Sequence, residues 1–263
     1  MPLWRLILNR LGAFLLGFIA FCFIVLVAWR AFAMPSFPDA LNFAHAGGAL
    51  DGQTYVNGRD AWDNSYANGF RYFETDFERT ADGTVVCGHD WDAFNGKAPD
   101  LSAFIAYRAQ QKHPVCTLIE LVDWYRRHPD ARLVSDAKDD VLAVDPQLHD
   151  ELGSQLLAEA YDIRDVVHLG RQNNVPTLLS LYKLPTIPGR FATLMAMRYS
   201  PVHVEGVAMS VVDVWYGLAL WSKIWFHAPV YVYTVNTCSY APLLHLFGVD
   251  AIMTDDLTPR GCR

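Results

Sequence analysis

Two hydrophobic rhythms alternate along most of the chain. Short apolar runs at 41–46, 70–77, 132–137, 165–169, 177–182, 204–210, 230–235 and 251–254 read as strands. Longer segments with helical spacing fall between most of them, at 58–68, 118–128, 146–161, 188–197, 214–226 and 240–247. Strands separated by helices are the order that parallel pairing needs, because each return to the sheet requires a crossover. Eight such strands predict an α/β fold of the TIM type, a closed (β/α)8 barrel. One link does not fit, since the interval between 169 and 177 holds a turn but not a helix; either one strand is misread or the barrel is irregular there.

The run at 84–88 follows the turn Ala81-Asp82-Gly83 and predicts a hairpin at the barrel rim. Residues 90–116 are too long and too mixed for a simple connection and are expected to cap the site.

A different pattern opens the chain. Residues 11–29 carry no charge and are flanked by Arg10 and Arg30, long enough as a helix to cross a bilayer core of about 30 Å. Arg5 and Arg10 precede it without an acidic neighbour, which places the N-terminus in the cytoplasm and the rest outside. The expected organisation is a cytoplasmic N-terminus and transmembrane anchor at 1–34, then a barrel domain at 35–263 that is membrane-anchored and extracytoplasmic. A signal peptide cleaved near Ala31-Phe32-Ala33, and a buried helix, are the alternatives.

Without the three arginines of 1–34, the formal charge goes from −7 to −10, which argues against a nucleic-acid partner. A small phosphodiester remains compatible, because a bound metal supplies local positive charge. Cys87, Cys116, Cys238 and Cys262 could close two local loops, Cys87 with Cys116 and Cys238 with Cys262, or remain buried thiols. No CxxC spacing points to zinc.

The candidate chemistry gathers at predicted strand ends. His45 closes the first strand in Phe43-Ala44-His45-Ala46-Gly47-Gly48. Glu74 and Asp76 are two apart on the second, so both project from one face. His89 follows the hairpin, and Ser135-Asp136-Ala137-Lys138 ends the third strand with Asp136 and Lys138 again on one face. Hard oxygen donors suit one divalent cation, Mg or Ca, and two histidines near neutral pH suit acid/base work. Trp91, Tyr182 and Tyr233 are candidate pocket aromatics, and His168 and Lys183 lie near predicted strand ends. The aromatic run at 214–226 is read as helix packing, with a lipid-facing role as the alternative.

These residues resemble the glycerophosphodiester phosphodiesterases. The likeness rests on His45, the Gly-aromatic and Glu-x-Asp strand at 69–76, the turn Thr80-Ala81-Asp82-Gly83 and the pair His89-Asp90. Tyr233-Thr234-Val235-Asn236 and the run 248–255 resemble the family's last two strands; the middle, 170–209, does not align. The resemblance implies a TIM barrel with His45 and His89 as acid/base pair, Glu74, Asp76 and Asp136 as metal ligands, and Lys138 and Tyr233 as substrate contacts. It also implies attack by a neighbouring hydroxyl of the substrate through a cyclic phosphate. Two positions depart from the family: Ala46 stands where an arginine is common, and Asp136 stands where glutamate is common, a replacement that resembles the sphingomyelinase D-like enzymes. The expected function is metal-dependent hydrolysis of glycerophosphodiesters or related phospholipid-derived headgroups. The alternatives are a phospholipase D-like or cyclising lyase on intact lipid, and a non-catalytic anchored polyol-phosphate-binding or scaffold protein.

Overall fold

The computed structural model of the chain describes residues 12, 16–24, 42–138 and 140–259. The chain divides into two units, 1–37 and 38–263. In the first, Gly12 and residues 16–24 are helical and exposed. This corrects the expected membrane anchor: among the described residues no helix is long and apolar enough to cross a membrane. The remainder of 11–29 and the cleavage-like Ala31-Phe32-Ala33 lie outside the described residues, and the extracytoplasmic placement inferred from the anchor loses its basis.

The second unit is built on strands β1 (Phe43–Ala44), β2 (Tyr72–Arg79), β3 (Val85–Cys87), β4 (Arg132–Asp136), β5 (Leu156–Ala160), β6 (Thr177–Ser180), β7 (Gly206–Ser210), β8 (Val230–Tyr233) and β9 (Ala251–Thr254). Eight pair in parallel in the order β1-β2-β4-β5-β6-β7-β8-β9, and β1 also pairs with β9, so the sheet closes into a barrel. β3 lies outside it as an antiparallel hairpin partner of β2.

The misfit noted between 169 and 177 resolves here. Residues 165–169 are not a strand: Ile163–His168 is a helix, capped by Asp162, whose side chain accepts from Arg164 N–H. The missing strand is β5, inside the segment read as the helix 146–161; the actual helix there is Val141–Leu152 and contains Pro146. The helix expected over 214–226 is two, Val211–Trp215 and Leu218–Phe226, broken where Gly217 adopts φ 82°.

Burial follows from this layering. Phe73 of β2 meets Trp124 at a ring distance of 5.2 Å, and Trp62 meets Trp124 at 5.5 Å, so the helices Arg59–Ala67 and Leu118–Arg127 seal one wall. A capping box of Thr117 and Glu120 starts the second of these helices. Just before it, Cys116 is disulfide-bonded to Cys87 of β3, as expected. Cys238 is also disulfide-bonded, but its expected partner Cys262 lies outside the described residues.

Candidate active site

The C-terminal ends of the strands carry the chemistry. β1 runs into a 3-10 turn, His45–Gly47, in which Ala46 takes φ 48° and donates its N–H to Glu74 Oε2 at 2.6 Å. Gly48 follows with φ 89°, and a Cβ there would stand 2.3 Å from Ser65 Oγ, so glycine is required. His45 Nδ1 lies 2.8 Å from Asp255 Oδ1, just beyond β9. Asn236 donates Nδ2 to Asp255 Oδ2 at 2.7 Å, and its Oδ1 accepts from Asp255 N–H at 2.9 Å. Against the effect of burial, hydrogen bonds from His45 and Asn236 hold Asp255 below the usual carboxylate range. A carboxylate partner makes Nδ1 the donor, which leaves the lone pair of neutral His45 on Nε2.

Strand register assembles the acids. Asp76 and Asp136 are direct partners across β2 and β4, and Glu74 lies two residues before Asp76 on the same face. All three are buried, and one oxygen from each lies within 4.8 Å of the others. Asn57 clasps Asp76, donating Nδ2 to its Oδ2 at 2.8 Å and accepting its backbone N–H at 3.0 Å. Lys138 Nζ donates to Asp76 Oδ1 at 2.5 Å and also to Asp136 Oδ2. Burial opposes the ammonium charge, yet Asp76 and Asp136 raise Lys138 well above the ordinary lysine range.

His89 stands just after the hairpin, with Nδ1 2.7 Å from Asp90 Oδ2 and a side chain 40% exposed. Between the two histidines sits Tyr55, whose ring centroid is 4.9 Å from His45 and 4.4 Å from His89.

One pocket of about 140 Å³ is lined by His45, Tyr55, Glu74, Asp76, His89, Asp136, Lys138, Glu159, Tyr161, Tyr182, Tyr233, Thr234 and Met253. All seven site residues expected from sequence therefore meet in one place. Glu159, Tyr161, Tyr55 and Asp255 were missed. Burial, then Asp136, pushes the Glu159 carboxyl up to about 8. Glu159 sits on β5, the strand read as helix, and Tyr161 follows it, so the misread strand hid both. Asp255 lay in the terminal run already matched to the family, without a role. Tyr55 had only the surrounding Gly47, Gly48 and Gly52 as a signal of an unusual loop.

Other candidates fall elsewhere. Tyr182 lines the pocket, whereas Trp91 packs on Phe94 and Phe104. His168 ends a helix, not a strand, and Lys183 Nζ lies over the Tyr161 ring at 4.7 Å. No residue of 90–116 is among those lining the pocket, so this segment is not the expected cap. It braces the pocket from behind: Arg108 of the helix Leu101–Gln110 donates to Val56 O at 2.8 Å, and His113 Nδ1 lies 2.6 Å from Asp60 Oδ2.

The acids fit a hard divalent cation. Burial, followed by Asp76 and Asp136, raises Glu74 well above the carboxylate range, and a cation among the three acids would offset their mutual repulsion. Lys138 is the only lysine, and no arginine appears, among the residues lining the pocket, so the pocket's carboxylates outnumber its fixed cations. Oxygen donors alone favour Mg²⁺ or Ca²⁺ over softer metals.

Comparison with solved structures finds this barrel in several proteins. A candidate glycerophosphodiester phosphodiesterase from Galdieria sulphuraria superposes with TM-score 0.67 at 16% identity, covering 85% of this chain and 96% of its own. A glycerophosphodiester phosphodiesterase from Parabacteroides distasonis gives 0.63 at 15%, covering 82% and 93%. An Oleispira antarctica phosphodiesterase, solved in complex with the product sn-glycerol-3-phosphate, gives 0.62 at 17%, covering 82% and 92%. The shared fold is the finding at these identities. No family model matches the chain, and no curated protein matches it.

Proposed function

We propose that this chain is a phosphoric diester hydrolase of the glycerophosphodiester phosphodiesterase type, with residues 35–263 as the catalytic domain and a small phosphodiester or lipid headgroup as substrate. The observation that carries the reading is the convergence of three buried acids within 4.8 Å and two carboxylate-anchored histidines on one barrel mouth. The barrel's likeness to the glycerophosphodiester phosphodiesterase structures supports it, as does the glycerol phosphate bound by the Oleispira relative.

Glu74, Asp76 and Asp136 would hold one Mg or Ca ion, which when bound supplies positive charge to the phosphoryl oxygens. His45 and His89 each donate Nδ1–H to a carboxylate, Asp255 and Asp90, so each keeps Nε2 for proton transfer. One accepts the proton of the attacking hydroxyl, and the other protonates the leaving oxygen. Lys138 contributes the fixed positive charge that an arginine at position 46 would otherwise share, and Tyr233 forms part of the wall that holds the alcohol.

The test is turnover of glycerophosphodiesters, lysophospholipids and intact phospholipids by the purified chain, with Mg²⁺, Ca²⁺ or chelator. Release of a glycerol phosphate, abolished by chelator and by His45→Ala or His89→Ala, is expected. Cyclic phosphate as the final product would reassign the site to a lyase, the outcome Asp136 favours as the shorter third acid. Full activity in either histidine variant would overturn the reading.

A further inference from the structure

Two histidines proposed to pass protons across one phosphate must keep a fixed separation, yet they are held very unequally. His45 is half-buried, its side chain 14% exposed, beside Asp255, which is itself fixed by Asn236. His89 is substantially exposed, and its hydrogen-bond partner is its sequence neighbour Asp90. The ring of Tyr55 contacts both imidazoles, edge-on to His45 with an interplanar angle of 76° and tilted at 58° to His89.

Tyr55 has φ 57°, a left-handed conformation that disfavours a residue with a bulky side chain. Such a conformation persists only where the surroundings over-determine it. Here they do. On its C-terminal side, Val56 O accepts from the buried Arg108 guanidinium at 2.8 Å. The same guanidinium donates to Pro114 O at 3.1 and 3.2 Å. Asn57 donates its N–H to Ala46 O at 2.9 Å while its side chain clasps Asp76. Upstream, Ala49 N–H reaches Asp255 O at 2.8 Å. The loop is thus clamped to the turn that carries His45, to the acid pair and to the residue that orients His45, and it delivers one aromatic ring between the imidazoles.

We infer that Tyr55 is a positioning residue that sets the separation and orientation of His45 and His89, acting through its ring rather than through its hydroxyl. The inference rests on the proposed phosphodiesterase reading for its kinetic consequence and on ring contact alone for its spectroscopic one. Loss of the ring frees His89, and a misplacement of about 1 Å in a reacting group costs on the order of 100-fold in rate. Substrate binding through the acids and Lys138 is left in place.

The test compares Tyr55→Leu and Tyr55→Phe in the full chain, each checked for an unchanged thermal midpoint. Tyr55→Leu is expected to lower kcat by about 10–100-fold with KM within about twofold, and Tyr55→Phe to retain kcat within about threefold. Long-range proton–nitrogen NMR of the imidazoles provides the readout that does not need activity: ring-current shifts at His45 and His89 vanish in Tyr55→Leu and persist in Tyr55→Phe. Equal losses in both variants would assign the effect to the hydroxyl and overturn the inference. Imidazole spectra unchanged in Tyr55→Leu would overturn it as well. If the wild-type chain turns over no diester, the proposed function fails, while the spectra still decide the role of the ring.

Discussion

Asp255 and His45 are 210 positions apart and 2.8 Å from each other, joined where β9 closes the barrel against β1. One of the two proposed acid/base histidines is therefore oriented by a carboxylate just beyond the last strand. Asp255→Asn removes the carboxylate that accepts from His45 Nδ1 while sparing the shape of the contact. Because positioned acid–base groups contribute about 100- to 10,000-fold, and Asp255 acts through His45, a loss of roughly 10- to 100-fold in kcat is expected. Steady-state kinetics with KM nearly constant would support this, and an unchanged kcat would remove Asp255 from the mechanism.

A divalent cation held by Glu74, Asp76 and Asp136 should stabilise the fold that binds it. At 100 times its dissociation constant, the gain is about 2.7 kcal/mol. For a chain of this size that corresponds to a rise of about 5–10 °C in midpoint. Thermal scans with Mg²⁺, Ca²⁺ or EDTA measure it, and Asp76→Asn should abolish the difference. A midpoint indifferent to both ions would exclude the site.

Glu159 makes stability depend on pH in a specific direction. Its folded value of about 8 lies above the ordinary 4.5, so between these limits the folded state holds a proton that the unfolded state has released. Its contribution is complete below about pH 4.5 and declines as pH rises to about 8. Midpoints measured from pH 5 to 8 in EDTA should therefore fall more steeply for the wild type than for Glu159→Gln. Parallel curves would contradict the assignment.

The Cys87–Cys116 bond closes a loop with a sequence separation of 29, for which chain-entropy arguments give about 3–4 kcal/mol. Reduction, or Cys87→Ser with Cys116→Ser, should lower the midpoint by about 10 °C. A midpoint insensitive to reductant would show that the loop is ordered without it.

Much of the barrel and of its acid cluster was legible because period-two spacing and strand ends are local features. Glu74, Asp76, Asp136 and Lys138 needed only alternation to fall on shared faces. β5 was not legible: Leu156, Leu157, Ala158, Glu159 and Ala160 are good helix formers, and burial between β4 and β6 overrides that preference. Conversely, Val166 and Val167 suggested a strand at 165–169, and the Asp162 cap makes a helix of them. Tyr55 was beyond reach for another reason: its role depends on the packing of a loop fixed by Arg108, 52 positions beyond Val56.

The segment between the bonded cysteines begins and ends at one point beside the β2–β3 hairpin, since Cys87 N–H also reaches Cys116 O at 2.9 Å. It has its own small aromatic centre in Trp91, Phe94, Phe104 and Tyr107. The same segment carries His89 of the pocket near its start, so it holds one half of the proposed acid/base pair as well as this packing. A graft of this segment that keeps His89 would still replace Arg108, and so would retune the spacing of the histidines from outside the pocket.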